Sequence, residues 1–299
     1  MPSRRQPPYV FVIVLLLSGG CHLSLPEFDG NRAMADLRTQ CGFGPRVPGT
    51  PAHDSCLIFL AGRLYGLADT LIEQRFPFHD SVSGGELMMT NIIARFGEGA
   101  RRRLVCAHWD SRPTADQDPD PDSRHRPISG ANDGASGAAV LLELARLFSL
   151  KRPPVTVDLV FFDGEDYGAE GRLDQYLLGS RRFSRDLDAR SYEFAVLLDM
   201  VGDADLQVGP EVFSERFAPK LVERIWSTAE KLGITEFNRQ ARYSLYDDHI
   251  PLLERGIPTV DIIDFDYPPW HTQGDTPDKC SAASLEKVGR VVARVLYER

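Results

Sequence analysis

Five apolar runs constrain this chain most, because each is short enough for a strand and most end on, or lead into, acids or histidines. RRRLVCAHWD ends on His108 and Asp110. VTVDLVFFD ends on Asp163, with Glu165 and Asp166 just beyond. EFAVLLDMV carries Asp199, and IPTVDIIDF is followed by His271. The fifth run, GELMMTNIIARF, reads as a strand neighbouring RRRLVCAHWD. Segments of helical period lie between the runs. ASGAAVLLELARLF sets Val140, Leu141, Leu144, Leu147 and Phe148 on one face, and Pro153 and Pro154 stop it. PKLVERIWSTAEKLG opens on Pro219 and closes at Gly233, the order expected of a helix. Leu285, Val288, Val292, Val295 and Leu296 define a terminal helix, and Leu57, Leu60, Leu64 and Leu67 define one from about His53 to Glu73. Apolar strands alternating with helices predict an α/β fold, a three-layer α/β/α domain around a central, mostly parallel mixed sheet. The carboxyl ends of parallel strands line the ligand crevice in such sheets, so the acids and histidines are expected to converge there.

The 299 residues, 42% hydrophobic and 26% charged, suffice for one large core. Residues 22–50 read as an irregular N-terminal arm with one short helix, and 51–299 as the domain. A net charge of -9 argues against nucleic acid as a partner, which would require a basic face. At the N-terminus Arg4 and Arg5 precede the apolar stretch Tyr9 to Leu17, then Ser18, Gly19, Gly20 and Cys21. That order predicts a signal peptide over residues 1–21. The stretch is too short to span a bilayer, which takes about 20 apolar residues. Small residues ending on a cysteine resemble the lipobox of bacterial lipoproteins, with Leu17 one place further from Cys21 than usual. The expectation is therefore an exported protein, periplasmic or held in the bacterial cell envelope by a lipid on Cys21, with release after ordinary cleavage as the alternative. Export makes disulfides possible. Cys41 and Cys56 bracket a Gly/Pro-rich segment and are either bonded or free buried thiols, and Cys106 lies in a core strand.

Taken singly, the polar residues have ordinary readings. Asp133, in the Gly-rich GANDGASG before a helix, could be a cap. A lone aspartate after a strand is usually turn chemistry, and a lone histidine is usually structural. The adjacent Glu165 and Asp166 are different, because two carboxylates at one strand end repel unless a cation or proton lies between them. Histidines and carboxylates together fit zinc, which takes nitrogen and oxygen ligands. Asp247, Asp248 and His249 add acids and an imidazole in a loop.

The stretches FGPRVPGTPAH, AHWDSRPTADQDPD, GANDGASGAAVLLELAR, FFDGEDYG, LLGS, LLDMVG, DDHIPLLERGIPTVDII and WHTQGDT follow one another from Phe43 to the terminal helix. With them the chain resembles the glutaminyl cyclases of the zinc-aminopeptidase superfamily, particularly the bacterial ones related to the animal enzyme. That resemblance implies a zinc-aminopeptidase-like fold and conversion of N-terminal glutamine of peptides or proteins to pyroglutamate with loss of ammonia. It implies Asp133, Asp166 and His271 as ligands of one zinc, and Glu165 as general acid/base. Asp199 and Asp247 would form an acid pair beside the substrate amide, with Asp248 as an alternative to Asp247. Trp270 would wall the glutaminyl pocket, and Trp109 would either contact substrate or pack. His108 matches the residue that, with Asp199, binds a second zinc in dinuclear aminopeptidases. The chain departs from the animal pattern in having Asp166 where that pattern has glutamate. It also carries Tyr176 where some bacterial cyclases have tryptophan. A dinuclear zinc aminopeptidase is the main alternative, and a binding ectodomain without catalysis is a third.

Overall fold

The computed structural model describes residues 25–80, 84–169, 171–239 and 243–298. The signal-like segment and Cys21 lie outside them. At the centre of the sheet runs β3 (Arg102–His108), hydrogen-bonded in parallel to β4 (Thr156–Phe162) on one side and β5 (Tyr192–Asp199) on the other. Outside β5 lies β6 (Thr259–Ile263), also parallel. Beyond β4 come β2 (Glu86–Phe96), antiparallel to β4, and β1 (Thr70–His79), antiparallel to β2, so the order is β1-β2-β4-β3-β5-β6. All seven residues of β4 are buried, as expected of a strand covered on both faces.

Successive residues of β3 serve two cores. Val105 and Ala107 face the layer formed by α1 (Gly30–Gly42), α2 (Pro51–Leu64), α3 (Ala135–Leu150), α6 (Pro219–Lys231) and α8 (Ala282–Tyr297). Leu104 and Cys106 face the opposite layer, to which α4 (Leu178–Asp186) gives Phe183 and α7 (His249–Glu254) gives Leu252. The short α5 (Val212–Phe217) packs against β6 and α6. This is the three-layer α/β/α arrangement. Among the described residues no helix is long and apolar enough to cross a membrane.

Two local expectations change, and two others are filled in. The helix read from His53 to Glu73 is α2, which ends at Leu64; Gly66, at φ 78°, turns the chain into β1. The leucine spacing runs on through that turn and hides it. β2 does not neighbour β3, because β4 lies between them. Within the arm, α1 is a 13-residue helix capped by Asp29, which accepts from the N–H groups of Asn31 and Arg32. Its Ala33, Met34 and Leu37 are buried in the large core. Cys41 and Cys56 are free thiols.

Two glycines in GANDGASG bring α3 onto the strand ends. At Gly134, with φ 97°, a Cβ would lie 2.4 Å from the Asp110 carbonyl oxygen. At Gly137 it would lie 2.3 Å from the Leu198 carbonyl oxygen and 2.8 Å from the Ala107 Cβ. No side chain fits between this helix and β3 and β5, so the first turn of α3 lies beside their carboxyl ends.

Candidate active site

The ends of β5 and β6, the loop after β4, the turn before α3 and the loop after β6 meet around a cavity of about 180 Å³, and the end of β3 lies behind two of its lining residues, Asp133 and Asp199. His108, the last residue of β3, places Nε2 3.1 Å from Asp133 Oδ1 and 3.2 Å from Asp199 Oδ1, with Nδ1 3.4 Å from Asp110 Oδ1. Burial opposes charge on the ring, but the surrounding carboxylates of Asp110, Asp133 and Asp199 outweigh it and hold the imidazole pKa well above the usual histidine range. Asp133 uses its other oxygen elsewhere: Oδ2 lies 3.6 Å from His271 Nε2, and that nitrogen is also 3.6 Å from Asp166 Oδ1.

Backbone contacts fix the acids. Asp110 accepts from the N–H of Glu165 through Oδ1 at 3.1 Å and from that of Asp166 through Oδ2 at 3.2 Å, so one carboxylate just after β3 holds the pair that follows β4. Asp275 accepts from the N–H groups of Asn132 at 2.8 Å and Asp133 at 3.2 Å, and from the Tyr267 hydroxyl at 2.8 Å. Asp166 Oδ1 accepts from Arg112 Nη1 at 2.5 Å, and Arg112 also donates to Asp116 and the Tyr176 hydroxyl. Burial first, and repulsion from Asp166 second, raise Glu165 well above the carboxylate range. Burial pushes Asp166 up to about 7 against the pull of His271. Burial and Asp199 raise Asp247 well above the usual value.

His271 sits at φ 55°, a region that costs a non-glycine residue about 1–3 kcal/mol and is held only by its surroundings. Here the backbone N–H of Gln117 donates to its carbonyl, Asp116 Oδ1 lies 3.4 Å from Nδ1, and Trp270 stacks on the ring. Phe265 meets Trp270 edge-on at 5.0 Å.

Asp133, Asp166 and His271 place donor atoms within 4.8 Å of one another, as do His108, Asp133 and Asp199, with Asp133 common to both sets. The first set fits zinc. It offers one nitrogen and two carboxylates, Asp166 Oδ2 is buried without a hydrogen-bond partner, and Asp116 backs the histidine as carboxylates behind zinc-bound histidines do. Glu165, Asp199, Asp247 and Trp270 line the same cavity.

Two expected substrate contacts lie elsewhere. Trp109 is fully buried, stacked on His53 at 4.3 Å, with Nε1 donating to the Thr90 carbonyl at 3.3 Å. The alternation of a strand end explains this: His108 turns to Asp133 and Asp199 and the next side chain turns into the core. Asp248 is fully buried behind Asp247, beside Ser180, where burial pushes it up to about 7. Arg112, Asp116 and Asp275 escaped the sequence reading. Their types fit ordinary loop residues, and only their place inside the quoted AHWDSRPTADQDPD and WHTQGDT stretches hinted at a role.

Histidine and paired carboxylates at the carboxyl ends of a mixed α/β/α sheet define the class of zinc-exopeptidase-like proteins. The chain belongs to peptidase family M28, whose model matches residues 91–296. It is 38% identical to the glutaminyl cyclase of Tannerella forsythia, covering 92% of this chain and 100% of that one with a TM-score of 0.85. A Zn-dependent exopeptidase from Parabacteroides distasonis is 36% identical, covers 92% and 100%, and superposes with a TM-score of 0.88. The glutaminyl-peptide cyclotransferase of Bos taurus is 28% identical over 85% of this chain and 78% of its own.

Proposed function

We propose that this chain is a zinc-assisted glutaminyl-peptide cyclotransferase, converting N-terminal glutamine of peptides or proteins to pyroglutamate with release of ammonia. The observation that carries the reading is the single cavity in which Trp270, Glu165, Asp199 and Asp247 surround Asp133, Asp166 and His271. Those last three residues would hold the zinc, which when bound supplies a Lewis acid for the substrate's γ-carbonyl. Trp270 and Phe265 give the glutaminyl side chain an apolar wall and exclude water that would otherwise hydrolyse the amide. Held this way, the α-amine lies close to the γ-carbon, and proximity supplies much of the rate. Glu165 accepts a proton from the amine as the new nitrogen–carbon bond forms. It returns that proton to the amide nitrogen as the old bond breaks, so ammonia leaves and Glu165 is restored. Its pKa, raised by burial and by Asp166, suits a group that must both take up and return a proton. Asp247, whose carboxyl burial and Asp199 push toward the protonated form, lines the same cavity and offers a hydrogen bond to the substrate amide.

Incubation with Gln-Ala and Leu-Ala peptides tests this directly, with ammonia and free leucine as readouts and zinc counted per chain. The second group of donors, His108, Asp133 and Asp199, favours one other reading, a dinuclear aminopeptidase. Leucine release with two zincs would support that reading. Export and a lipid on Cys21 are proposed from Arg4 to Cys21 alone; labelling with a radioactive fatty acid, lost in Cys21→Ser, tests them.

A further inference from the structure

Next to the catalytic cavity lies a second depression of about 350 Å³, between α5 and α7. Phe213 and Phe217 line one side, Ile250 and Leu253 the other, and Glu254 stands at its edge. Tyr246 lines both this groove and the catalytic cavity, so the two share a wall. The groove's apolar surface is open to solvent: Phe217 is 55% exposed and Tyr246 53%, with Val212 at the start of α5 39% exposed. Contiguous exposed aromatic surface on a folded chain marks a binding site more often than chance.

We propose that this groove receives an apolar side chain at the position after glutamine in the substrate peptide, and so sets sequence preference beyond the first residue. The inference rests on the cyclotransferase reading. A glutaminyl residue whose side chain reaches Glu165 and Trp270 leaves its own carbonyl at the cavity mouth. One further residue advances the chain by about 3.5 Å, enough to bring its side chain onto the rim. Where that rim is Tyr246, the side chain is delivered to Phe213, Phe217 and Leu253. Glu254 makes the same place unfavourable for an acidic residue.

The test compares Gln-Phe-amide with Gln-Ala-amide on the zinc-loaded enzyme and on Phe217→Ser and Phe217→Leu, whose site lies outside the catalytic cavity. The wild type should use Gln-Phe-amide about tenfold better in kcat/KM, the scale expected when an exposed aromatic side chain becomes buried. Phe217→Ser should raise KM for Gln-Phe-amide about 5- to 10-fold with kcat unchanged, and leave Gln-Ala-amide as it was. Phe217→Leu should restore most of the difference, and matching melting curves would show that both variants fold. Equal use of the two substrates, or a Phe217→Ser change that affects both alike, would overturn the groove and leave the cyclase reading intact. Absence of ammonia from either substrate would overturn both.

Discussion

Trp270 stacks on His271 with ring centroids 3.8 Å apart and planes 26° from parallel. The residue expected to wall the substrate pocket thus also braces the histidine of the proposed zinc set. Trp270→Ala should therefore raise KM for Gln-peptides and also weaken zinc retention, each by about tenfold, the lower end of effects seen when a metal ligand loses its support. Trp270→Phe should restore zinc retention more fully than KM, because a smaller ring can still stack. Titration with a chelator alongside steady-state kinetics checks this, and a KM effect with wild-type zinc retention would show that the stack does not support the ligand.

Glu165 is placed by the Asp110 carboxylate through its backbone, not through its own oxygens. Glu165→Gln should keep that contact, the fold and the zinc, while turnover falls about 10²–10⁴-fold, the worth of a positioned acid/base. Zinc loss in this variant would exchange its role with that of Asp166.

His108 and His271 face different oxygens of Asp133, Oδ1 and Oδ2 respectively. A cyclase holding its zinc with Asp133, Asp166 and His271 should keep one zinc per chain in His108→Ala. Its kcat should fall about tenfold or less as Asp133 and Asp199 lose the imidazole between them. Two zincs in the wild type falling to one, together with leucine release, would instead identify an aminopeptidase.

Asp264 gives a pH prediction away from the metal site. Burial pushes it up to about 7, although Oδ2 accepts from the N–H of Gln207 at 2.8 Å. Its folded pKa thus lies above the unfolded value of about 3.9. The stability contributed by the protonated form is fully present below that lower value and is lost as pH rises through about 7. Asp264→Asn stays neutral and keeps an acceptor. Its melting temperature relative to the wild type should therefore rise by a few degrees between about pH 5 and pH 8. A difference that stays flat with pH would mean the carboxyl is ionised throughout.

Most of the layered fold was legible because β3 to β6 are apolar runs whose ends carry the polar residues, and because α3, α6 and α8 have clear periods and stops. β1 was not, since leucine spacing carries the helical period past Leu64 and β1 is too exposed to show an apolar run. Strand order escaped as well, because adjacency in sequence says nothing of β4 entering between β2 and β3. At the site, Glu165 and Asp166 stood out because two adjacent carboxylates at one strand end repel without a cation or proton between them, whereas Asp133 and His271 were marked by the family resemblance of their motifs. Trp109 misled because it shares a motif with His108 but lies on the other side of the strand. Arg112 and Asp275 act on neighbours brought close only by folding, and no local pattern distinguishes them.

The missing side chain at Gly137 has a consequence beyond tight packing. Its neighbours are the carbonyl of Leu198, the residue before Asp199, and Ala107, the residue before His108. A methyl group there would act as a spacer, moving the helix that begins after Asp133 away from both strands at once. The distances from Asp133 to His108 and Asp199 are thus gauged by a residue that has no side chain to offer any of the three. Gly137→Ala would change the separation of the two candidate metal positions without altering a single donor atom.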